Sequence, residues 1–142
     1  MSEVKAFNPF ADIVEFHTKY EQAYDGPARR LPEDMEAFRL KFLNEELMEY
    51  TVAIKRMWVM DVSQEDLANA FDGLIDLVYV ALGTAYLHGF DFEEGWRRVH
   101  EANMKKVLAK NADESKRGYK LDVVKPEGWT PPVLTDLMSV KR

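Results

Sequence analysis

The chain contains no cysteine. Disulfides, thiolate zinc centres and cysteine nucleophiles are therefore excluded, and the composition suits a reducing compartment, so a cytoplasmic location is expected. Histidine is scarce and badly spaced for metal work. The residues three positions before His17, His88 and His100 are Val14, Ala85 and Arg97, whereas a di-iron carboxylate bundle needs Glu-x-x-His pairs. An excess of positive charge is missing as well. The formal charge is −6, which argues against nucleic acid as a partner. The most apolar stretch, Phe71 to Leu87, is interrupted by Asp72 and Asp76. Each would cost about 2.5–3.5 kcal/mol at a bilayer centre, so the stretch reads as a buried helix of a soluble protein and no membrane partner is expected. Residues 1–10 carry Glu3 and Asn8 and no apolar core, so no signal peptide is expected there.

What is present reads as four helices. Phe10, Ile13, Val14, Phe16, His17 and Tyr20 recur at helical spacing, which predicts a first helix from Pro9 to Tyr24, broken by Asp25-Gly26-Pro27. Pro32, followed by Glu33, Asp34 and Glu36, opens a second that runs to about Met60. Ser63 caps a third that ends at His88-Gly89. Asp91 with Glu94 resembles a capping box for a fourth, running to about Lys110. Short connections favour antiparallel neighbours, so the expected fold is all-α, a four-helix antiparallel bundle over residues 1–110. Residues 111–142 form an irregular tail with Gly118, Pro126, Gly128, Pro131 and Pro132. Its Tyr119 and Trp129 are expected to pack on the core or on a neighbouring subunit.

The chemistry lies in the acids. Glu45, Glu46 and Glu49 fall within five residues on helix two, and Asp72 and Asp76 follow on helix three. Both helices are apolar on nearly every side: Leu43, Leu47, Tyr50, Ile54 and Met57 make one stripe of helix two, and Phe38, Phe42, Ala53 and Met60 share the side of the glutamates. On helix three, Leu67, Leu74, Leu77, Val78, Ala81 and Ala85 form one face, opposite the aspartates. Like charges at i,i+3 and i,i+4 cost roughly 0.2–0.5 kcal/mol each even when exposed, and burial adds to that. Either motif alone reads as a solvated face. Both together, on adjacent apolar helices, point to hard cations held by oxygen alone, Mg²⁺ or Mn²⁺. Downstream lie Asn103, Lys105, Lys106 and Lys110, then Arg117, Lys120 and Lys125. Acids that hold metal beside a cluster of cations are what a polyphosphate needs.

On these residues the chain resembles the MazG-like all-α nucleoside triphosphate pyrophosphohydrolases, a group related to phosphoribosyl-ATP pyrophosphatase. That group carries ExxE on one helix and ExxD on the next. Glu46-Leu47-Met48-Glu49 matches the first half, with Glu45 as an extra acid, and Asp76 matches the final Asp. Gly73 replaces the usual Glu, and Asp72 supplies a carboxylate one position earlier. Phage members carry such a DxLxD form, and the segments Glu15-Phe16-His17, Ala102 to Lys106 and Val124 to Pro132 are similar to theirs.

The resemblance implies cleavage of an NTP or dNTP between the α and β phosphates. It implies two or three Mg²⁺ or Mn²⁺ ions on Glu45, Glu46, Glu49, Asp72 and Asp76, with Glu46 or Glu45 taking a proton from water. Asn103, Lys106, Arg117 and Lys125 are the expected phosphate contacts, and His17, Trp58 and Tyr79 the candidates beside the base. It also implies a tetramer, as a dimer of dimers with shared sites, and a host cytoplasm if the source is viral. One phage branch removes dGTP and GTP where genomes carry 2-aminoadenine, so (d)GTP is the favoured substrate; dUTP, dCTP and modified nucleotides stay open, as does a non-enzymatic metal-binding protein.

Overall fold

Each long helix begins where local chemistry satisfies its first turn. Asn8 and Ser63 accept backbone N–H bonds from Ala11 and Asp66, Asp91 accepts from Glu94, and Glu33, Asp34 and Glu36 line the start after Pro32. The computed structural model describes residues 3–138. It contains α1 (Pro9–Lys19), α2 (Glu33–Val59), α3 (Gln64–Leu87) and α4 (Phe92–Met104). A two-residue antiparallel ribbon follows, β1 (Val107–Leu108) paired with β2 (Val123–Val124). The fold is an all-α bundle. Gly89, at φ +72°, turns the chain after α3 as its missing Cβ allows.

Helices α2 and α3 run antiparallel along their whole length. Arg39 donates to the Val80 carbonyl and the Thr84 hydroxyl at one end, and Arg56 pairs with Asp66 at the other. Between them the backbones approach closely at Gly73, where an added Cβ would lie 3.1 Å from the Tyr50 nitrogen and 3.3 Å from its Cα. The position that holds Glu in the family pattern is therefore filled by the neighbouring helix. Gly73→Glu is expected to push α2 and α3 apart at a cost of about 1–3 kcal/mol, read as a fall in melting temperature; an unchanged melt would show that the approach is not tight.

The core is small. Ile13, Leu31, Leu82, Tyr86 and Leu87 cluster where α1 and the start of α2 meet the end of α3, with Phe10, Met35 and Phe92 around them. The outer stripe of α3 is uncovered: Leu67, Phe71, Leu74, Ile75 and Val78 are all exposed. The face turned to α2 carries Asp66, Gly73, Val80 and Gly83, all buried. Of the two faces of α3, the one richer in large apolar side chains thus points outward. The helix is long and apolar enough to cross a membrane on length and composition alone.

Three sequence expectations need correction. Helix α1 stops at Lys19 rather than Tyr24, because Glu21 takes φ +60° and the Tyr24 N–H is drawn to the Tyr86 hydroxyl at 2.8 Å. Helix α4 stops at Met104 rather than Lys110. The Trp129 indole donates to the Ala102 carbonyl at 2.7 Å, and Val107–Leu108 leave the helix to pair with the tail. The tail, read as irregular, thus holds one strand of a ribbon.

Candidate metal and substrate site

Seven residues on a helix make two turns and return to nearly the same side. Glu46 lies seven residues after Arg39, and Glu49 seven before Arg56. The α3-facing side of α2 therefore reads as arginine, two glutamates, arginine. Across the groove, α3 brings Asp76 against the glutamates. Glu46, Glu49 and Asp76 offer carboxylate oxygens that all lie within 4.8 Å of one another.

Three acids this close are electrostatically costly, and two of them have proton affinities raised above the ordinary range. Burial pushes the Glu46 carboxyl above its usual range, and Glu49, Asp76 and Glu45 add to that. Burial also raises Asp76, with Asp72 adding. One Glu46 oxygen is buried without a hydrogen-bond partner among the described residues. An all-oxygen donor set with an unsatisfied buried oxygen fits a hard divalent cation. The other two predicted ligands stand apart. Glu45 is exposed and faces Lys41 at 4.0 Å. Asp72 is exposed, one turn before Asp76, and lies outside the group of three.

The raised acids set a sign for stability. With chelator present, the folded chain binds more protons than the unfolded chain between the ordinary carboxylate range and the raised values of Glu46 and Asp76. Stability then falls as pH rises through that window. Glu94, held at about 2 by Arg97 and Arg98, and Asp122, held at about 2 by Arg117 and Ser115, act oppositely. Their contribution is full above the ordinary range and is lost as pH falls toward 2. Melting of the chelated protein is therefore expected to peak on the acid side of neutrality, and Mg²⁺ to raise it more at pH 8 than at pH 5. A Mg²⁺ effect of equal size at both pH values would uncouple the acids from the ion.

The remaining candidates are dispersed. His17 is 2% exposed; its Nδ1 bonds the Ile13 carbonyl at 2.7 Å, its Nε2 has no partner, and burial lowers its pKa, with Arg39 adding to the effect. Tyr79 follows Asp76 by one turn and packs edge-on against Phe16. Burial, then Asp12, Tyr20 and Glu15, raise its pKa, so the phenol stays protonated. Trp58 is exposed near the far end of α2. Lys106 and Lys125 converge on the two-ring system of Trp129, at 5.4 and 5.0 Å from the ring centroid. Arg117 is held by Asp122 at 2.7 Å. Asn103 is exposed on the last turn of α4. Among the described residues, no hydrogen bond or ion pair joins these four to the carboxylates.

Sequence reading missed Arg39, Arg56 and Asp66. The signals were present: seven-residue spacing from the glutamates, and Ser63 three residues before Asp66. Asp66 accepts from the Ser63 hydroxyl at 2.9 Å and faces Arg56 at 3.3 Å. Arg56, Ser63 and Asp66, with Glu49 and Asp72, line a cleft of about 500 Å³.

A comparison with curated proteins finds no match. A family model described as phosphoribosyl-ATP pyrophosphohydrolase matches residues 15–103, from the middle of α1 to the last turn of α4, with all five acids inside it. That span is more than half of the chain. The chain belongs to the phosphoribosyl-ATP pyrophosphohydrolase family, within the MazG-like superfamily, and is thereby a pyrophosphohydrolase of nucleotide substrates.

Proposed function

We propose that this protein cleaves a nucleoside triphosphate between its α and β phosphates, giving a monophosphate and pyrophosphate. The observation that carries the reading is the convergence of Glu46, Glu49 and Asp76 on two antiparallel helices. Two or three Mg²⁺ or Mn²⁺ ions would be held there, with Glu45 and Asp72 completing the set, and would supply charge neutralisation and an acidified water. The chain's own part is to take the proton of the attacking water and to hold the phosphates. Glu46 or Glu45, adjacent near the middle of α2, is the proton acceptor. Tyr79, one turn after Asp76, stands beside the base in this reading. As water adds across the anhydride, pyrophosphate leaves and the proton passes to that glutamate.

Asn103, Lys106 and Lys125 reach the carboxylates from a second copy in this reading, as a dimer of dimers would allow. Support comes from the uncovered stripe of α3 and from an apolar hollow of about 860 Å³ between α1, α3 and α4 that includes Phe7, Phe10 and Trp96. The site acts in a cytoplasm, host cytoplasm for a viral source, and on no nucleic acid or membrane.

The favoured substrate is dGTP or GTP, supported by the resemblance of Asp72-Gly73-Leu74-Ile75-Asp76 and of the tail to phage members. The deciding test is a panel of all NTPs and dNTPs, with phosphoribosyl-ATP and modified nucleotides, in Mg²⁺ or Mn²⁺. Monophosphate plus pyrophosphate from dGTP or GTP is expected. Turnover of dUTP or dCTP alone would keep the chemistry and move the substrate. Metal-dependent melting without turnover of any of them would leave a structural metal-binding protein.

A further inference from the structure

The three acids meet because α2 and α3 lie in one particular register. Ten residues separate Glu46 from Arg56 on α2, and ten separate Asp76 from Asp66 on α3. The Arg56–Asp66 pair, at 3.3 Å, thus repeats near the turn the same alignment that sets Glu46 against Asp76. The contact of Gly73 with Tyr50, three residues before Asp76 and four after Glu46, lies on that alignment too. A slide of one residue shifts facing side chains by about 1.5 Å. Mg²⁺ holds its oxygens at about 2.0–2.1 Å in near-octahedral geometry, so a slide of that size takes an oxygen off the ion.

Between the acids and the turn, apolar packing sets that register only coarsely. The buried residues there are Ala53 on α2 and Asp66, Ala70 and Gly73 on α3. Small side chains let helices approach closely, but a register is fixed only as finely as the side chains interlock. Asp66 is the one polar side chain among them. The Ser63 hydroxyl donates to one of its oxygens at 2.9 Å, and the Asp66 N–H returns a bond to the Ser63 oxygen at 3.0 Å. Its other oxygen faces Arg56. An aspartate pinned by its own helix cap and paired with an arginine of the other helix favours one alignment. The Arg56 side chain is 60% exposed, so the pair adds little to stability. Setting register is the better-attested use of such a pair.

Resting on the pyrophosphohydrolase reading and its metal site, we infer that Arg56 and Asp66 are positioning residues for the ion. Their pair, about 15 Å along the groove from Glu46 and Asp76, keeps α2 and α3 in the register in which the three carboxylates share a cation. The sign of the charge separates this role from a field effect. Arg56 is a cation, so its loss through the field alone would tighten the binding of a divalent ion. Its loss through the register weakens that binding. The helices stay joined when the pair is cut, because Arg39 still ties α2 to Val80 and Thr84 on the other side of the acids.

The test is Mn²⁺ binding, read from the electron paramagnetic resonance of the free ion well below the melting temperature, where a change of stability alone leaves the affinity unchanged. Arg56→Met is expected to weaken Mn²⁺ binding about 10-fold, and Arg56→Lys, which restores a cation, to return it to within about threefold of wild type. Asp66→Asn should weaken it in the same direction. The double variant Arg56→Met/Asp66→Asn leaves no unpaired buried charge, so it folds even where the single arginine variant does not. It should lose about 10-fold and not about 100-fold, because a single tie has been cut. Unchanged or tighter Mn²⁺ binding in Arg56→Met or in the double variant overturns the inference. So does a double variant that loses the product of the two single losses. A wild type that binds Mn²⁺ but releases no pyrophosphate from any nucleotide removes the pyrophosphohydrolase reading, and the Mn²⁺ affinities then decide the positioning role by themselves. A wild type that binds no Mn²⁺ removes both.

Discussion

Asp76→Asn is expected to lower pyrophosphate release by about 10³-fold or more while leaving the helical fold intact. The substitution keeps the shape of the side chain and removes one charge from a group of three carboxylates within 4.8 Å. A loss of about 4 kcal/mol of transition-state stabilisation is enough for that factor. The fold should not suffer, because Asp76 has no cationic partner among the described residues and its proton affinity is raised by burial and by Asp72. Removing a charge that the folded state disfavours leaves the chelated protein equally stable or more so. Glu49→Gln should lower activity in the same way, since it too removes a charge from the group of three. The two readouts therefore move in opposite directions: activity collapses, while melting in chelator holds or rises. A mutant within tenfold of wild-type activity would place the reaction elsewhere, and a mutant that melts earlier in chelator would mean that the charge is satisfied by something other than a cation.

The second large effect concerns assembly. A compact monomer of 16.5 kDa exposes about 7,500 Å² by the scaling of folded proteins, whereas this chain exposes 11,230 Å². The surplus, about 3,700 Å² on one chain, is several times the roughly 800 Å² per partner of a standard interface. Much of it is apolar and periodic, as on α3 at Leu67, Phe71, Leu74, Ile75 and Val78. Melting temperature is therefore expected to rise with protein concentration, and sedimentation to give a multiple of the chain mass. Phe71→Asp discriminates sharply. Phe71 is 67% exposed in the single chain, and such a surface change is normally worth within about 0.5 kcal/mol. Buried in a subunit contact, the same aspartate would cost several kcal/mol and release monomer or unfolded chain. A wild-type monomer with a concentration-independent melt, and a Phe71→Asp variant identical to it, would sink the assembly.

These two expectations differ in how early they became legible. The carboxylates were visible in sequence because their cost is local: like charges a turn apart on apolar helices demand a reason before any fold is known. Helix starts were visible for the same reason, since Ser63, Asp91 and the acids after Pro32 act within four residues. The ends of α1 and α4 were not. They depend on Tyr24 meeting Tyr86 and Trp129 meeting Ala102, partners 62 and 27 residues away. Nor did periodicity disclose which face of α3 turns inward. Hydropathy separates two faces, but their direction depends on what packs against each.

By itself, the amino-acid sequence determined four helices, an all-α class, and five acids on two neighbouring helices, because capping, periodicity and charge repulsion are short-range. Only the tertiary structure decided the rest. It drew Glu46, Glu49 and Asp76 into one group and left Glu45 and Asp72 at its edge. It set Gly73 where α2 and α3 touch, so that a larger residue there must push the helices apart. It committed Arg117 to Asp122 and gathered Lys106 and Lys125 on Trp129. Spacing along one helix fixes which side a residue takes, whereas the distance across two helices follows from their register, and that register comes from packing.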